Sequence, residues 1–441
     1  MLEKILRFFE KYVIPRPLYR ISQPTYHYVL SFCGALIYGF PSKKMFVVGV
    51  TGTKGKTTTC NLIAQIFNSA GLKTGMITTA NLIIGGKERK NETKQTMLGR
   101  FQLQKTLAQM TKEKCRYAVV ETSSEGILQF RHRFVDYDAA VFTNLSPEHI
   151  ERHGGFKNYR DAKIKLFEKV AGKQNGVGVY NLDDENAEYF LKPAVKNKYG
   201  YGVNFPADFR LSNKFRISNV KLSPDKTEFE FNGEKFEMPL IGEFNVYNAG
   251  AAICAALSQS ISTEKIKSAL AKAKAPAGRF EIIEKGQNFS VIVDYAHEPA
   301  SLEATYKTAK NLKLKTRGSK LICLLGAQGG GRDKWKRPMM GKIAGQYCDK
   351  IILTNEDPYD ESPENIVNDI AAGCSRVSNS KPEIFKVIDR KEAIKKALSL
   401  ARKNDAVILT GKGGESWICA KNNKKIPWDE RKIVEEFLLD I

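Results

Sequence analysis

Short apolar runs alternate with helical patterns along most of the chain. In its first half, runs rich in valine and isoleucine that are typical of buried strands occupy 46–50, 117–122, 139–143 and 176–180. Segments 57–70 and 157–170 instead carry apolar residues at helical spacing. Because buried parallel strands alternate with helices in α/β proteins, this order predicts an α/β fold with a mostly parallel sheet.

The pattern changes near residue 214, where polar and apolar residues begin to alternate. This alternation over 215–236, with the turn signal Asn232-Gly233, predicts an antiparallel hairpin. Segment 271–278 contains Pro276 and is typical of a linker. A second α/β series follows, with strands predicted at 290–294, 321–325, 351–354 and 406–410. The C-terminal part is therefore predicted to be a Rossmann-like α/β domain.

The length of 441 residues exceeds what one hydrophobic core usually supports. We expect a short N-terminal segment over 1–44, a central domain over 45–277 and a C-terminal domain over 278–441. Residues 2–13 carry apolar side chains at helical spacing with basic residues nearby. Two interpretations stay open: a helix that packs on its own domain, which is the commoner case, and an amphipathic helix on a membrane surface.

The composition is strongly basic. The chain has 70 Lys and Arg against 48 Asp and Glu, a formal net charge of +22. Such a surface suits a nucleotide, a phosphorylated metabolite, a nucleic acid or an anionic membrane, unless lysine-rich helices merely solvate the surface. The apolar stretch 26–40 is too short and too interrupted to cross a bilayer, which requires about 20 apolar residues.

The eight cysteines are scattered singly along the chain. The absence of a Cys-x-x-Cys pair argues against a zinc ribbon and a redox dithiol. Several cysteines lie in apolar stretches, as free buried thiols do. The first residues have no small-residue cleavage site of the kind that ends a signal peptide. A reducing cytoplasm therefore fits best.

Candidate chemistry is concentrated in the loop Gly49-Val-Thr-Gly-Thr-Lys-Gly-Lys-Thr-Thr-Thr59, between the first predicted strand and helix. Backbone N–H groups of a glycine-rich loop approach phosphate oxygens, and the helix N-terminus adds positive potential. We expect Lys56 to reach the β- and γ-phosphates and Thr57 to face Mg²⁺. Val50 stands where the strict pattern has glycine. The alternative is a purely structural turn, but the Gly-Lys-Thr context favours phosphate binding.

This loop resembles the phosphate loop of the Mur ligases, which has the form Thr-Gly-Thr-x-Gly-Lys-Thr. Further matches follow in the family's order over nearly all of residues 46–441. The resemblance implies a central P-loop mononucleotide-binding domain with a mostly parallel sheet, followed by a Rossmann-like ligase domain. It also implies that ATP is bound by the loop residues Thr53, Lys54, Gly55, Lys56, Thr57 and Thr58.

The segment after the second predicted strand resembles the family's Glu-x-Ser-Ser motif, whose glutamate helps to hold Mg²⁺. Here the glutamate is Glu121, and Glu125 replaces the usual histidine. A carboxylate at the end of a buried strand beside a phosphate site suits a hard cation, although Glu121 alone could equally be a capping or salt-bridge residue. The resemblance implies substrate contacts by Thr122, Ser123 and Ser124.

Two further segments carry metal ligands that the resemblance implies. His149 falls where the family has a metal-binding histidine, and Glu148 stands in for the commoner aspartate. Lys163 matches the family's carbamylated lysine, whose carbamate can help to hold a second Mg²⁺ near the γ-phosphate. Together with Lys56 and Glu121, His149 and Lys163 form the implied catalytic set.

The C-terminal half matches family segments that contact the nucleotide or join the domains. The nucleotide-binding residues implied there are Asn248, Arg279, Asp294, His297, Asp333 and Lys334. The stretch Val293-Asp-Tyr-Ala-His297 is an especially specific match. The glycine-rich stretch 326–337 could otherwise be a surface loop, and the resemblance implies that domain closure brings it onto ATP and excludes water.

The implied reaction is an ATP-dependent ligation. A substrate carboxylate attacks the γ-phosphate to give an acyl phosphate and ADP, and an amine then displaces phosphate. Within the family, the matches favour the type that adds a diamino acid, the third residue of the stem peptide, to a muramyl dipeptide in peptidoglycan precursor synthesis. The amino-acid-contacting residues that this implies are Asp357, Pro358, Tyr359, Gly411 and Glu415.

The amino acid and the acceptor stay open. Members that add diaminopimelate carry Asp-Asn-Pro-Arg where this chain has Glu356-Asp-Pro-Tyr359, and loss of the arginine removes a clamp for a second carboxylate. Four acidic residues in this stretch would suit a cationic side chain such as lysine. The 45 residues before the first strand are too few for a complete UDP-binding domain, so a truncated substrate domain or a lipid-linked acceptor is expected.

Three other functions are weighed against this one. Folylpolyglutamate synthases and polyamino-acid synthetases share the central motifs but use other acceptors. A nucleic-acid-binding ATPase would explain the basic charge, but no aromatic-rich RNA motif, helix-turn-helix signature or concentrated basic stripe supports it. An inactive scaffold is disfavoured because Lys56, His149 and Lys163 are retained. We expect a cytoplasmic enzyme whose partners are an anionic muramyl-peptide-like substrate and an amino acid, and an anionic membrane surface stays open as a further partner.

Overall fold

The computed structural model describes residues 16–93, 95–148, 150–206, 209, 211–313, 318–331, 333–375 and 382–439. Residue contacts divide the chain into two compact units, one of residues 1–215 and 251–266 and the other of residues 216–250 and 267–441. No helix within the described ranges is both long and apolar enough to cross a membrane. The amphipathic pattern at residues 2–13 lies outside the described residues.

A mostly parallel sheet forms the centre of the first unit. Its strands are β1 (Phe46–Thr51), β2 (Thr74–Ile77), β3 (Asn81–Ile84), β4 (Lys87–Lys90), β5 (Tyr117–Glu121), β6 (Ala139–Phe142), β7 (Val177–Asn181) and β8 (Asn197–Gly202). They lie in the order β8-β7-β6-β1-β5-β2-β3-β4. The pairings from β8 to β2 are parallel, whereas β3 and β4 form an antiparallel edge.

Helices pack against this sheet or against one another. They are α1 (Arg16–Ile37), α2 (Lys56–Ser69), α3 (Arg100–Lys112), α4 (Ser124–Leu128), α5 (Ile150–His153), α6 (Phe156–Ala171) and α7 (Ala187–Leu191), with a 3₁₀ turn at Pro41–Lys44. The core joins strand residues such as Val120 and Phe142 to helix residues such as Leu103 and Phe167. The predicted α/β class with a mostly parallel sheet is therefore confirmed.

The predicted hairpin is also confirmed. The strands β9 (Asn213–Leu222), β10 (Thr227–Phe231) and β11 (Glu234–Met238) pair in antiparallel fashion. The turn between β10 and β11 places Asn232 at φ 51° and Gly233 at φ 85°, a left-handed conformation that these two residue types accept. Two helices follow, α8 (Glu243–Leu257) and α9 (Thr263–Leu270).

A second sheet lies in the C-terminal part of the chain. Its strands are β12 (Glu281–Ile283), β13 (Ser290–Val293), β14 (Leu321–Leu325), β15 (Lys350–Leu353), β16 (Glu383–Lys386) and β17 (Ala406–Leu409), in the order β12-β13-β17-β14-β15-β16. All pairings are parallel except that of β12 with β13. Alternate residues of β14 enter two separate cores, Cys323 in one and Ile322 in the other, as expected of a strand covered on both faces.

The covering helices are α10 (Pro299–Lys313), α11 (Lys336–Tyr347), α12 (Pro363–Cys374), α13 (Arg390–Ser399) and α14 (Glu430–Leu439). Ser362 and Asp389 cap α12 and α13 by accepting backbone N–H groups of their first turns. A small hairpin of β18 (Trp417–Ala420) and β19 (Lys424–Pro427), with a 3₁₀ turn at Lys421–Asn423, precedes α14. This arrangement confirms the predicted Rossmann-like C-terminal fold.

Two of the cysteines are not free thiols, contrary to the prediction. Cys323 in β14 and Cys348 before β15 form a disulfide bond. Both are buried in the same core, and 25 residues separate them along the chain. The prediction failed because the pairing depends on β14 and β15 being neighbours in the sheet, which no local spacing reveals. Among the other cysteines, which are free, Cys60 and Cys115 are examples of buried thiols.

Candidate active site

The glycine-rich loop runs from the end of β1 to the start of α2, as predicted. Gly52 packs so closely on the segment after β6 that a Cβ atom there would lie 2.0 Å from Thr143 Oγ1. The Thr53 N–H donates to the Asn144 carbonyl (2.8 Å), and the Lys54 N–H donates to the Asn144 side chain (2.9 Å). These contacts hold the loop against the segment after β6.

The loop ends at the N-terminus of α2, where the side chains of Lys56 and Thr57 form hydrogen bonds with different residues. Lys56 is the first residue of the helix, and its Nζ donates to the Thr53 carbonyl (2.7 Å). The Thr57 hydroxyl donates to Glu121 Oε2 (2.9 Å). Thr58 is buried in the same turn. The helix dipole and Lys56 together give this end of the helix a positive potential that suits phosphate.

Glu121 lies at the carboxyl end of β5 and is only 2% exposed. Its Oε2 also accepts from the Thr79 backbone N–H (2.7 Å) and the Thr79 hydroxyl (3.0 Å). Hydroxyl and carboxylate oxygens are the ligands that a hard cation such as Mg²⁺ prefers. The donor set formed by Thr57 and Glu121 therefore fits the metal that the resemblance implies.

Lys163 comes to the same loop from α6. Its side chain is 2% exposed, and its Nζ donates to the Gly52 carbonyl (2.7 Å) and lies 4.5 Å from the centre of the Tyr159 ring. The Tyr159 hydroxyl pairs with Thr53 Oγ1 (3.0 Å). Burial, and next the charge of Lys56, hold the pKa of Lys163 well below its ordinary value. The neutral form of the amine is therefore favoured here more than it is for a lysine in water.

The remaining predicted residues of the first unit have several placements. Glu148 is buried and forms an ion pair with Lys54 (3.0 Å), while His149 lies outside the described residues. The buried Thr122 hydroxyl donates to the Val120 carbonyl (3.1 Å) and lies 3.2 Å from the Tyr137 hydroxyl.

Ser123 caps α4 by accepting the Gly126 N–H (3.1 Å), and Ser124 is buried at the start of that helix. With Thr122, these residues hold the turn after β5 in place. The geometry shows this local role, and substrate contact by the three residues stays a prediction.

In the second unit, Asp294 is held at the carboxyl end of β13. Its carboxylate accepts the Phe280 N–H (2.7 Å) and the Ala296 N–H (2.8 Å). Burial raises its pKa, although the charge of Arg279 and these hydrogen bonds oppose the shift. The Arg279 guanidinium stacks 4.1 Å from the centre of the Tyr295 ring, which brings two predicted nucleotide contacts to one strand end.

Other predicted nucleotide contacts are distributed over this unit. His297 Nδ1 lies 2.8 Å from the Tyr295 carbonyl, and the Asn248 side chain donates to the Asn245 side chain (3.0 Å). Lys334 is mostly exposed and pairs with Glu361 (3.2 Å), and its neighbour Asp333 adopts a left-handed φ of 40°. Their contact with a nucleotide stays a prediction.

The predicted amino-acid-contacting segment is organised by a residue that the motif analysis did not single out. Lys412 is 0% exposed, and its Nζ donates to Asp357 Oδ1 (2.9 Å), Glu415 Oε2 (2.5 Å) and the Trp417 carbonyl (2.9 Å). Burial alone would lower the pKa of Lys412, but Glu415 and Asp357 outweigh it and raise the pKa. Lys412 is a permanent buried cation between two predicted substrate contacts.

The β18–β19 hairpin fixes the backbone of the same segment. The Cys419 N–H donates to Asp357 (2.7 Å), the Tyr359 N–H donates to the Cys419 carbonyl (3.1 Å), and Tyr359 has a left-handed φ of 52°. On another side, a Cβ atom at Gly329 would lie 2.2 Å from the Pro358 carbonyl oxygen. The glycine-rich stretch at 326–331 therefore packs directly on this segment.

Gly411 allows a similarly close approach. Its φ is 102°, and a Cβ atom there would lie 2.4 Å from Glu356 Oε2. Burial, and next the charge of Asp357, raise the pKa of Glu356 to about 7. This carboxyl group is therefore partly protonated near neutral pH.

The acidic character of the segment is weaker than its sequence suggests. Lys412 neutralises Asp357, and Arg337 binds both oxygens of Glu361 (2.8 and 2.9 Å). Asp360 accepts the Asn422 N–H (2.9 Å). These carboxylates therefore give less reason to expect that the donor amino acid has a cationic side chain.

Thr79, Tyr159 and Lys412 are the site residues that motif analysis missed. Thr79 and Tyr159 act through contacts between distant segments, which sequence spacing does not reveal. Lys412 lies between two glycines of a recognised motif, and its position two residues after the predicted apolar strand at 406–410 was the signal that could have found it.

The chain is similar to known proteins over nearly its whole length. The family description "Mur ligase middle domain" matches residues 50–256, and "Mur ligase, glutamate ligase domain" matches residues 278–413. A UDP-N-acetylmuramoyl-L-alanyl-D-glutamate--2,6-diaminopimelate ligase from Syntrophomonas wolfei is 37% identical over 422 residues, which cover 95% of this chain and 83% of the relative. A UDP-N-acetylmuramyl-tripeptide synthetase from Treponema denticola is 37% identical over 428 residues, with 93% and 79% covered.

Solved structures show the same fold. A UDP-N-acetylmuramoyl-L-alanyl-D-glutamate--2,6-diaminopimelate ligase structure superposes with a TM-score of 0.62 at 29% identity, covering 93% of this chain and 83% of that one. A folylpolyglutamate synthase from Mycobacterium tuberculosis has a TM-score of 0.67 at 16% identity, covering 87% and 92%. The second likeness concerns the fold alone.

Proposed function

The chain belongs to the Mur ligase family, and from this premise we propose that it joins a diamino acid to the carboxyl group of a muramoyl dipeptide in peptidoglycan precursor synthesis. Mur ligases are ATP-dependent enzymes that form amide bonds, and this chain is one of them. The observation that carries the proposal is the cluster at the phosphate loop, where Thr57 and Thr79 converge on the buried Glu121 beside Lys56.

The residues of the first unit support the first half of the reaction. Lys56 would move from the Thr53 carbonyl to the γ-phosphate while the acceptor carboxylate attacks that phosphorus. The bond between the β-γ bridging oxygen and the γ-phosphorus breaks, which gives ADP and an acyl phosphate. Mg²⁺ held by Thr57 and Glu121 would supply charge neutralisation on the phosphates. His149 is proposed as a further metal ligand.

The second half of the reaction uses the donor amine. A neutral amine attacks the carbonyl carbon of the acyl phosphate, inorganic phosphate leaves, and the nitrogen loses a proton. We assign donor binding to Asp357, Pro358, Tyr359, Gly411 and Glu415. The support is that Lys412 and the β18–β19 hairpin fix this segment before the donor arrives.

Carbamylation of Lys163 is also part of the proposal. A neutral lysine nitrogen attacks the carbon of CO₂ and releases one proton, which leaves a carbamate anion. The lowered pKa of Lys163 supports this, since protonated lysine does not react. The carbamate would lie beside the loop that binds phosphate, where it could help to hold a second Mg²⁺.

Two donors are supported by different observations. 2,6-Diaminopimelate is the donor in the name of the 37% identical Syntrophomonas wolfei relative. Lysine is supported by Tyr359, which stands where diaminopimelate-adding members have an arginine for the second carboxylate. We propose diaminopimelate first, because the acidic residues that favoured lysine already have partners.

We further propose that the enzyme works in the cytoplasm at the inner face of the membrane. The support is the net charge of +22, which suits both anionic precursors and anionic lipid. The acceptor is UDP-linked in the names of the relatives, and a lipid-linked acceptor is the alternative. We also propose that the chain consists of an N-terminal segment over 1–44, a central domain over 45–277 and a C-terminal domain over 278–441.

The test is to incubate the enzyme with ATP, a UDP-linked or a lipid-linked muramoyl dipeptide, and single amino acids. We expect a tripeptide product with UDP-linked acceptor and diaminopimelate, identified by mass spectrometry. A product with lysine alone would replace the donor assignment, and a product with the lipid-linked acceptor alone would replace the acceptor. No product with any pair would overturn the proposed function.

A further inference from the structure

Helix α1 presents a row of apolar side chains to solvent. Tyr28, Phe32 and Leu36 follow one another at four-residue spacing, so they lie on one face of the helix. They are 41%, 41% and 57% exposed, and Val29 beside them is also about half exposed. A row of exposed large apolar side chains on a folded protein marks an interaction surface.

Aromatic rings from two other segments extend this row. The Phe134 ring meets Tyr28 edge-on at 5.2 Å between centroids and Phe32 at 5.4 Å. Phe130 approaches Tyr28 at 6.0 Å, and Phe40 approaches Phe32 at 6.4 Å. We call this surface the aromatic face and define it by Tyr28, Phe32, Leu36, Phe40, Phe130 and Phe134.

Positive charges border the aromatic face. The Arg133 guanidinium lies 6.0 Å from the Tyr28 ring centre, and Lys43 Nζ lies 5.2 Å from the Phe40 ring centre. Residues 11–87 contain neither aspartate nor glutamate. Glu125, in the segment that carries Phe130, is paired with Arg152 (2.7 Å). Asp136, two residues from Phe134, is paired with Lys173 (2.8 Å). Because these two carboxylates have cationic partners, Arg133 and Lys43 leave the border positive.

We propose that the aromatic face docks on an anionic membrane surface. Tyrosine and phenylalanine rings would enter the boundary between headgroups and acyl chains, and Arg133 and Lys43 would contact acidic headgroups. Charge complementarity selects this partner over a second copy of the chain, because two faces with the same positive border would repel each other. The inference deepens the proposed membrane location and is independent of the ligase chemistry.

Co-sedimentation with phospholipid vesicles tests this docking. We expect the full chain to bind vesicles that contain phosphatidylglycerol and not vesicles of phosphatidylcholine alone, with binding weakened by salt. The double variant Phe32→Asp/Leu36→Asp should bind about tenfold or more weakly, since it places two charges where apolar groups are buried. Arg133→Glu/Lys43→Glu should also bind more weakly. The matched controls Ile426→Asp, at an exposed apolar residue of β19, and Lys235→Glu, at an exposed lysine of β11, should bind as the native chain does.

Several outcomes would overturn the inference. They are failure to bind either vesicle, equal binding to both, and equal losses in the aromatic-face and control variants. Concentration-dependent self-association that Phe32→Asp/Leu36→Asp abolishes would assign the face to a second copy instead. Thermal unfolding checks that each variant is folded. Ligation of a soluble acceptor by Phe32→Asp/Leu36→Asp should stay unchanged, so a failure of docking is distinct from a failure of the proposed function.

Discussion

Lys163 in the first unit and Lys412 in the second are buried almost completely, yet their environments differ. Lys163 contacts a backbone carbonyl and an aromatic ring, and none of the ion pairs among the described residues includes it. Lys412 contacts the carboxylates of Asp357 and Glu415. The pKa of Lys163 is lowered and that of Lys412 is raised.

The comparison shows that burial alone does not decide the charge of a lysine. Desolvation favours the neutral amine in both places, and nearby carboxylates reverse the outcome in one of them. The lowered pKa of Lys163 supports the proposed carbamylation, whereas Lys412 holds two carboxylates in fixed positions. Substitutions at four residues would break or sharpen this contrast.

The largest expected effect comes from Lys412→Met. Removing the cation leaves Asp357 and Glu415 without their shared partner, which should lower the free energy of unfolding by about 4 kcal/mol. Urea denaturation measures this change. The double variant Lys412→Met/Asp357→Asn is the control and should recover part of the loss. A decrease below about 1 kcal/mol would show that Lys412 does not compensate these charges.

Glu356 is a carboxyl group whose pKa is also shifted by burial. Its folded pKa of about 7 exceeds the ordinary 4.5, so the folded chain binds more protons between these values. Its contribution to stability is present below about pH 4.5 and is lost as pH rises through about 7, by about 3 kcal/mol in total. Glu356→Gln should remove this loss from the pH dependence of unfolding. Parallel curves for variant and native chain would contradict the assignment.

Lys163→Met should lower activity without lowering stability. Methionine fills much of the same space and removes the cost of burying the amine, so the free energy of unfolding should not fall at neutral pH. Ligation should fall about 100-fold if the carbamate stabilises charge near the phosphates. Removal of dissolved CO₂ should slow the native enzyme and leave the variant unchanged. Equal sensitivity of both to CO₂ would rule out the carbamate.

Lys163 should also make the free energy of unfolding depend on pH, in the opposite direction to Lys412. Because its folded pKa is lowered, the unfolded chain binds more protons between that pKa and the ordinary 10.5, so stability should rise with pH in that window. Lys163→Met should lack this rise. The raised pKa of Lys412 produces no such effect below pH 10.5, so Lys412→Arg should keep the rise.

The smallest effect is expected from Tyr359→Arg, which changes the donor segment that Lys412 holds. An arginine restores a partner for a second carboxylate and should shift preference toward diaminopimelate over lysine by about tenfold. Ratios of kcat/KM for the two donors measure the shift. Tyr359→Phe should leave the ratio unchanged, and an unchanged ratio for Tyr359→Arg would place the donor elsewhere.

Local signals predicted much of the fold and of the phosphate loop. The strand at Phe46, the loop and the helix after it follow from valine-rich and glycine-rich sequence, and the turn at Asn232 follows from its residue types. The edge strand β4, with the sequence Lys-Glu-Arg-Lys, gave no apolar signal because all its residues are exposed. It is defined by pairing with β3 alone.

The parts of the site that depend on distant contacts could not be predicted. Thr79 reaches Glu121 because β2 and β5 are neighbours, and Tyr159 reaches Thr53 because α6 packs on the loop. The charge of the donor segment was misjudged because Lys412 and Arg337 pair with it across 55 and 24 residues. Tertiary contacts determine these features, and a sequence motif contains only one of the two residues in each contact.

Transfer of oxygen from the acceptor to phosphate tests the central claim most directly. Both oxygens of the acceptor carboxylate would be oxygen-18, and the phosphate released during ligation would be examined by mass spectrometry. An acyl phosphate predicts one labelled oxygen in each phosphate, together with one ADP for each amide bond. Unlabelled phosphate, or cleavage to AMP and pyrophosphate, would contradict the proposed ligase mechanism.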